Sequence, residues 1–498
     1  MRQLIATYNY SIFTTQSGVE CDHLSIDFEG SLTNLSDLQQ RLDSTDDVSI
    51  LIELAYLKWG HSFVDQLEGA FVIVLFDPEK RELLVFRDKM GIVPCYYYKT
   101  DHFFACSTSV KSLLELKEVE RVSNKTAIGD YISYGYVQAP ETLISGVKQL
   151  LPAHYLKLTD DELEIQSYWS ATAHFDYTVE GRTQEQHAFH IQQLLEDITI
   201  EDQLPLSDNS NNSNFGSLKK WISEVDHPSV HSLDYFVCLE NAKKNRKRSI
   251  NLIGSEILWA EGELYDTLEG FQSKRWLLSY PKNLRSILSR WVNIPHKSAL
   301  KETYSQLIQQ DYFDLDYLYP TYQRLYPKAK LQKSLGLVFL DSAQLIARAS
   351  VVFQNQGFEF PYLSKVGLME FQTKIVNAKL PALYDASKQL EQSCQLPFLE
   401  WKRFRYFLNL PDEHKTALRE SKEFKIIREK STPTELGFNI ADIETKFLNE
   451  FAKRKYIQEP FETDLKNGFP RLTASKRNQL NKAIFILEAW FQENCINE

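Results

Sequence analysis

One stretch of this sequence leaves little choice of local structure. Phe71-Val-Ile-Val-Leu-Phe76 is a continuous apolar run, as expected of a strand that is buried on both faces. The polar turn at residues 77–81 follows it, and residues 82–86 return as a partner strand. Upstream, residues 35–42 and 50–59 carry apolar side chains at helical spacing. Strands combined with amphipathic helices predict layers of sheet and helix around one core.

The remainder of the chain is predicted to be mainly helical. Residues 231–239 and 249–253 are apolar runs that predict two strands. The basic stretch 243–248 between them is typical of a solvated turn or helix end. From about residue 256 onward the pattern favours helices, and it ends with an amphipathic helix over residues 480–491.

Composition and charge limit the class of protein to which this chain can belong. The chain has 498 residues, too many for one ordinary core, so two or more domains are expected. Its net charge of -11 repels phosphate backbones, so we expect no nucleic-acid partner. The six cysteines show no C-x-x-C spacing, which is typical of reduced thiols. We find no signal peptide and no apolar run of about 20 residues, so we expect a cytoplasmic protein without a membrane partner.

Several segments near the N-terminus occur in the order found in one known family. The segments are Phe28-Glu-Gly-Ser-Leu-Thr-Asn34, Leu67-Glu-Gly-Ala-Phe71, Arg87-Asp-Lys-Met-Gly91 with Pro94, Cys106-Ser-Thr-Ser109, and Tyr134-Gly-Tyr136 through Tyr168-Trp169. Together they resemble the glutamine-amidotransferase half of asparagine synthetases. Residues 359–371 and 484–490 are similar, more faintly, to the synthetase half of the same family.

The resemblance implies a fold class that combines α/β and α+β parts. Residues 1–170 would form a class II glutamine-amidotransferase-like domain, an αββα sandwich of the Ntn-hydrolase kind, truncated at its start. Residues 171–498 would form a helix-rich, degenerate synthetase-like α/β domain that lacks the pyrophosphate loop. Because the match at Phe28 lies so near the start, we also expect the family's initial strands to have no counterpart.

The residues that would hydrolyse glutamine are not where the family has them. The family's nucleophile is an N-terminal Cys whose α-amine acts as base, whereas position 2 is Arg2 and the first cysteine is Cys21. A single cysteine such as Cys21 is usually inert packing. The family's Asn-Gly-Glu has become Glu29-Gly30-Ser31, which removes the amide and the carboxylate that would grip the glutamine. The resemblance therefore predicts an inactive glutaminase.

The residues that would bind ATP and magnesium are also altered. At the place of the family's S-G-G-x-D-S loop stands the polar, low-complexity stretch 207–214, which predicts an exposed loop. If Ser207 matches the first Ser, then Asp208 and Asn209 replace the two glycines, and Asn211 replaces the Asp. Side chains there would block the approach of backbone N–H groups to pyrophosphate, and Asp208 would repel it.

A second nucleotide signature, G-x-G-x-D-E, finds its best counterpart at residues 252–260. If Gly254 is the second glycine, the acidic pair becomes Glu256 and Ile257. The apolar Ile257 cannot ligate Mg²⁺, which requires oxygen. Glu256 alone is more often a helix cap or a surface charge than a catalytic acid.

The remaining candidates favour structural roles. Arg87 and Asp88 could be an acid–base pair, but in this family the turn is architectural, with Gly91 permitting a tight backbone. The successive tyrosines 96–98 are typical of strand packing. His187 with His190, and His227 with His231, have helical spacing but no third ligand, so both pairs are predicted to lie at the surface.

We therefore assign no catalytic, cofactor-binding or metal-binding residue. The leading hypothesis is a noncatalytic scaffold without cofactors that supports a homologous synthetase or a substrate peptide, or that forms a homodimer. The alternative is an ATP- and magnesium-dependent amide ligase similar to lasso-peptide cyclases and β-lactam synthetases, with Lys430 as the lysine that stabilises the adenylate. A new activity in the cleft between the two halves is a third possibility.

Overall fold

Two antiparallel sheets face each other in the N-terminal third of the protein. The six-stranded sheet has the order β11-β10-β6-β5-β4-β3, and the five-stranded sheet has the order β2-β1-β8-β7-β9. Their strands are β1 Ile5–Tyr8, β2 Phe13–Thr15, β3 Val19–Glu20, β4 Ser25–Leu32, β5 Gly69–Asp77, β6 Glu82–Arg87, β7 Tyr96–Lys99, β8 Phe104–Ser107, β9 Val147–Gln149, β10 His154–Leu158 and β11 Leu163–Ser167.

The computed structural model describes part of the chain, with gaps. The described residues are 5–8, 13–15, 19–20, 24–44, 47–160, 162–171, 181–195, 221–244, 249–255, 257, 260, 263–272, 276, 279–288, 315–326, 331, 361–418, 441–454, 457, 459–470, 472 and 474–497.

Strand β5 shows why the apolar run produces a layered structure. Successive side chains of a strand point to opposite faces of the sheet. Val72 and Val74 lie in the core between the two sheets, while Phe71 and Ile73 lie in the core under the neighbouring helices. Both faces of the strand are therefore buried, which confirms the prediction for residues 71–76.

Helices cover both outer faces of the paired sheets. Helices α1 (Leu35–Leu42) and α2 (Val48–Trp59) pack on the six-stranded sheet. Helices α3 (Val110–Leu114) and α4 (Lys125–Tyr134) share a core with β7 and β8 of the five-stranded sheet. The layer order helix–sheet–sheet–helix is that of the predicted αββα sandwich.

The expectation that the initial strands are missing is wrong. Three strands precede Phe28, and β1 pairs with β8 along its whole length, from Ile5 opposite Ser107 to Tyr8 opposite Phe104. Strand β3 pairs with the beginning of β4. The strands are short, but they extend both sheets to their edges.

The described remainder of the chain is mostly helical, as predicted. Its helices are α5 Gln184–Leu195, α6 Ser232–Lys244, α7 Glu263–Gln272, α8 Lys282–Leu288, α9 Leu315–Gln323, α10 Tyr362–Glu370, α11 Leu380–Leu390, α12 Trp401–Asn409, α13 Asp412–Leu418, α14 Ala441–Ala452, α15 Glu459–Lys466 and α16 Ala474–Glu493. A π-helical segment, Phe371–Lys379, joins α10 to α11. Strands β12 (Ser249–Ile250) and β13 (Cys394–Gln395) pair in parallel.

One of the two predicted strands is a helix. Residues 231–239 lie almost entirely within α6, whose apolar side chains are buried on several sides, including Phe236 against Trp221. A continuous apolar run predicts burial but does not distinguish a buried strand from a buried helix. The second predicted strand, residues 249–253, is present only as the two residues of β12.

Helix α16 packs against the helical side of the five-stranded sheet. It lies in one continuous core with the five-stranded sheet. The indole Nε1 of Trp490 donates a hydrogen bond to the carbonyl of Val225 at 2.8 Å. Just beyond the helix, Asn497 forms a parallel bridge with Val122. The C-terminal helix is thus part of the packing of the N-terminal sheets.

Candidate functional site

The turn after β6 is built around a buried arginine. Arg87 is fully buried, and its guanidinium donates to the carbonyls of Val93 at 2.8 Å, Leu150 at 2.5 Å and Gly91 at 2.8 Å. Gly91 has a φ of +66°, and a Cβ there would lie 2.6 Å from the ring of Pro152. The arginine therefore satisfies carbonyls that the tight turn leaves without backbone partners.

The neighbouring carboxylate has the complementary role. Asp88 is buried and accepts hydrogen bonds from the backbone N–H groups of Met90 at 3.0 Å, Ile92 at 3.1 Å and Val93 at 3.1 Å. Both charged side chains are used to hold the backbone, so the architectural interpretation of this turn is confirmed.

Glu29 on β4 is the centre of a polar contact between β4 and the C-terminal half of the chain. Its carboxylate accepts hydrogen bonds from the hydroxyl of Thr108 at 2.6 Å, from the hydroxyl of Tyr384 and from the ammonium of Lys388. Tyr384 and Lys388 both lie on α11. The side chains of Glu29 and Lys388 are 16% and 13% exposed, so this ion pair is largely shielded from solvent.

The contact with Lys388, Thr108 and Tyr384 lowers the pKa of Glu29. Burial alone would raise the pKa of the carboxyl group, but the charge of Lys388 and the hydrogen bonds from Lys388, Thr108 and Tyr384 outweigh burial and lower the pKa. Glu29 is therefore ionised at neutral pH, with its acceptor positions occupied by groups of the protein itself.

A second buried polar cluster lies close to α11. Asp226 accepts hydrogen bonds from the Ser109 hydroxyl at 2.5 Å and from the Lys111 backbone N–H at 3.1 Å. Its own backbone N–H donates to Asp385 of α11 at 3.0 Å. No sequence motif indicates this cluster, because its members come from three segments that lie more than a hundred residues apart in the chain.

Apolar side chains fill the region around Gly254 and Ile257. Gly254 has a φ of +98°, and a Cβ there would lie 2.9 Å from Leu399 and 3.3 Å from Phe398. Ile257 is 2% exposed and packs so closely that a Cβ on Gly367 would lie 2.7 Å from it. Leu399, Phe398 and Ile257 therefore pack as hydrophobic core around this position.

Comparison with known proteins places the N-terminal part in a family. A family model described as a glutamine amidotransferase domain matches residues 18–169. Asparagine synthetase (glutamine-hydrolyzing) 3 of Bacillus subtilis is 29% identical over 171 residues, which is 32% of this chain and 28% of that protein. A putative asparagine synthetase (glutamine-hydrolyzing) 2 of Methanocaldococcus jannaschii is 26% identical over 148 residues, 28% of each chain.

The N-terminal part is an asparagine-synthetase-like glutamine amidotransferase domain. The chain matches less than a third of the length of these two relatives. The solved structure of a B. subtilis glutamine phosphoribosylpyrophosphate amidotransferase, complexed with ADP and GMP, is 14% identical over 30% of each chain with a TM-score of 0.21. A TM-score this low supports no argument about function.

Within this amidotransferase domain, Glu29 stands at the position that the motif resemblance matches with the family's Asn. In the structure, the carboxylate of Glu29 binds Tyr384 and Lys388 of α11. Arg2 and Cys21, which bear on the nucleophile, lie outside the described residues. So do Ser207, Asp208, Asn209 and Asn211 of the pyrophosphate-loop position, together with Glu256 and Lys430.

The prediction that both histidine pairs lie at the surface is wrong, because the spacing of residues in the sequence does not indicate their burial. His187 and His227 are buried, while His190 and His231 are partly buried. His187 contacts the hydroxyl of Tyr406 at 2.7 Å, and burial lowers its pKa to about 4. His187 and His227 therefore contribute to the packing of the helical part of the chain.

The described residues contain no group of three or more His, Cys, Asp and Glu side chains arranged to hold a metal ion. No helix in the described ranges combines the length and the hydropathy that crossing a membrane requires.

Proposed function

We propose that this protein is a noncatalytic, asparagine-synthetase-like scaffold that works beside an active homologous synthetase. The observation that carries the proposal is the contact of Glu29 with Tyr384 and Lys388. The glutamine-gripping position holds a carboxylate whose acceptors are bound by α11 of the same chain. A glutamine side chain could bind there only if α11 were displaced.

The region around Gly254 supports the same conclusion for the ATP reaction. Adenylation requires oxygen ligands for Mg²⁺ and open backbone N–H groups for pyrophosphate. Leu399 and Phe398 lie against Gly254, and Ile257 is part of the hydrophobic core. Filling a nucleotide site with apolar side chains is consistent with a fold that has been kept while its chemistry has been lost.

Two solution measurements test the loss of chemistry. Incubation of the full chain with glutamine should release no ammonia above the rate without protein. Titration with ATP and Mg²⁺ in a calorimeter should give no binding heat, and ATP–pyrophosphate exchange should be absent. Clear ATP binding together with exchange would overturn the scaffold proposal and favour the amide ligase, which needs no glutaminase.

The scaffold role itself is tested by association. The chain should co-purify with a homologous synthetase encoded near it, and the complex should persist through gel filtration. Two apolar side chains of α8, Leu284 and Ile287, are 43% and 51% exposed and offer a first place for substitution. Leu284→Ser with Ile287→Ser should weaken association if α8 contributes to it. Leu57→Ser on α2, 56% exposed, is the matched control.

A chain that elutes alone at every concentration, with those neighbouring proteins present, would contradict a scaffold role. Detection of a stable homodimer without any other partner would restrict the scaffold to self-association.

A further inference from the structure

Three buried polar side chains lie on the helical side of the five-stranded sheet. They are Tyr96 of β7, Gln149 of β9 and His227, which precedes α6, and they are 0%, 1% and 2% exposed. The Tyr96 hydroxyl, both amide atoms of Gln149 and both ring nitrogens of His227 have no hydrogen-bond partner among the described residues. Buried polar atoms without a partner are rare in folded proteins, so this group of atoms requires an explanation.

The strand register and a ring contact place the three side chains together. Tyr96 lies directly opposite Gln149 in the antiparallel pair of β7 and β9. Directly paired residues project from the same face of a sheet, and on this face Tyr96 is part of the core shared with the helices. The rings of Tyr96 and His227 are stacked, with centroids 6.0 Å apart. Tyr96 therefore has both other side chains as neighbours.

Alternative assignments of the hydrogens do not supply the missing partners. Exchanging the amide oxygen and nitrogen of Gln149 changes nothing, because neither position is bonded. A neutral imidazole has one donor and one acceptor nitrogen, so His227 lacks a partner for each of them in either tautomer.

The three side chains are neutral at neutral pH. Burial lowers the pKa of His227 to about 4. Burial raises the pKa of Tyr96 well above its ordinary value, and the charges of Asp385 and Asp226 raise it further, so the phenol keeps its proton. Together the hydroxyl, the amide and the imidazole present both donors and acceptors without a charge. This combination matches a small neutral molecule that both donates and accepts hydrogen bonds.

We propose that ordered water molecules bind between β7, β9 and His227 and bridge the Tyr96 hydroxyl, the Gln149 amide and the His227 ring. A buried water typically makes about three hydrogen bonds to polar groups that otherwise lack partners. The waters join the N-terminal sheet to the segment that leads into α6. This site is independent of the proposed scaffold role.

A double-mutant cycle, measured by urea unfolding of the full chain at neutral pH, distinguishes a hydrated site from a dry one. Tyr96→Phe removes only the hydroxyl, and Gln149→Met replaces the amide with an apolar chain of similar length. Each should raise the unfolding equilibrium constant about fivefold, because bonds to bound water are lost. In a dry site each change would remove an unpartnered buried group, and the constant would fall.

The double variant tests whether the two side chains bind the same waters. Tyr96→Phe with Gln149→Met should raise the constant by less than the product of the single effects, because both changes remove bonds to shared waters. The control combines Gln149→Met with Tyr326→Phe, since the Tyr326 hydroxyl donates to Asp464 at 2.8 Å. In the control pair the two effects should multiply.

A crystal structure of the wild-type chain that resolves ordered solvent gives a readout that needs no variant. Water oxygens should lie within about 3.2 Å of the Tyr96 hydroxyl and of at least one ring nitrogen of His227. A dry site in the electron density, lower unfolding constants in both single variants, or multiplying effects in Tyr96→Phe with Gln149→Met would each overturn the proposal.

Discussion

Lys388 of α11 forms an ion pair with Glu29 of β4, and so joins residues that lie 359 positions apart in the chain. The pair is shielded from solvent and is completed by the hydroxyls of Thr108 and Tyr384. These three partners explain how the largely buried carboxylate of Glu29 is compatible with a stable fold.

Removing the cation from this pair should destabilise the protein. Lys388→Met leaves the Glu29 charge largely buried without its partner, so we expect a loss of about 3 kcal/mol in the free energy of unfolding, measured with urea. The double variant Lys388→Met with Glu29→Gln should recover part of it. Lys453→Met is the control, because its pair with Glu450 is exposed and is expected to contribute less than about 1 kcal/mol. Equal losses in the two single variants would contradict the prediction.

The buried arginine of the turn after β6 should not tolerate lysine. Arg87→Lys keeps the charge but cannot reach the three carbonyls that the guanidinium satisfies. We expect a loss of about 3 kcal/mol from the unsatisfied buried acceptors, seen as a lower urea midpoint. Arg41→Lys, at a partly exposed pair with Asp37, should leave the midpoint nearly unchanged. A stable Arg87→Lys protein would show that the turn does not depend on the fork geometry of arginine.

Gly254 should be required for packing. Gly254→Ala introduces a side chain at a φ of +98° and places its Cβ 2.9 Å from Leu399, so we expect a loss of about 1–3 kcal/mol. Gly181→Ala has no atom within 4 Å of the new Cβ and provides the control. Thermal unfolding of both variants measures the difference. Equal melting temperatures would mean that the space beside Gly254 is open.

We also expect the protein to lose stability at acidic pH, because His227 is buried. Burial lowers the pKa of His227 to about 4, and its two ring nitrogens have no hydrogen-bond partner among the described residues. The unfolded chain binds this proton more readily, so the contribution is complete above pH 6.5 and decreases towards pH 4.

We expect the loss at His227 to reach about 3 kcal/mol across that range. His227→Phe, which preserves the stacking on Tyr96, should reduce the acid-side slope, whereas the exposed His102→Ala should not. If both variants unfold with the wild-type pH dependence, His227 is not responsible for the loss of stability at acidic pH.

The sequence was most informative where structure depends on neighbours in the chain. Helices α1 and α2 and strands β5 and β6 follow from local periodicity and turn chemistry. The architectural role of the Arg87–Asp88 turn was implied by the family resemblance. The errors arose where burial depends on distant segments. Residues 231–239 looked like a strand because the first half of α6 is buried on several sides and is therefore mostly apolar.

The polar clusters could not be predicted for the same reason. Glu29 could be recognised as a loss, because it replaces a family residue, but its partner Lys388 carries no local signal. Asp226 and Asp385 belong to no motif, and their contact depends on a tertiary arrangement across 159 residues. The spacing of residues in the sequence identifies helix faces and turns. It does not identify pairs of residues that come into contact only after the chain has folded.

The position of α16 has a consequence for synthesis on the ribosome. Residues 121 and 123 exchange backbone hydrogen bonds with Asn497, and Trp490 is buried in the core beside the five-stranded sheet. The N-terminal sheets therefore emerge from the ribosome long before the helix that covers them, and that face stays exposed until α16 has been synthesised. We expect a chain from which α16 has been removed to be prone to aggregation.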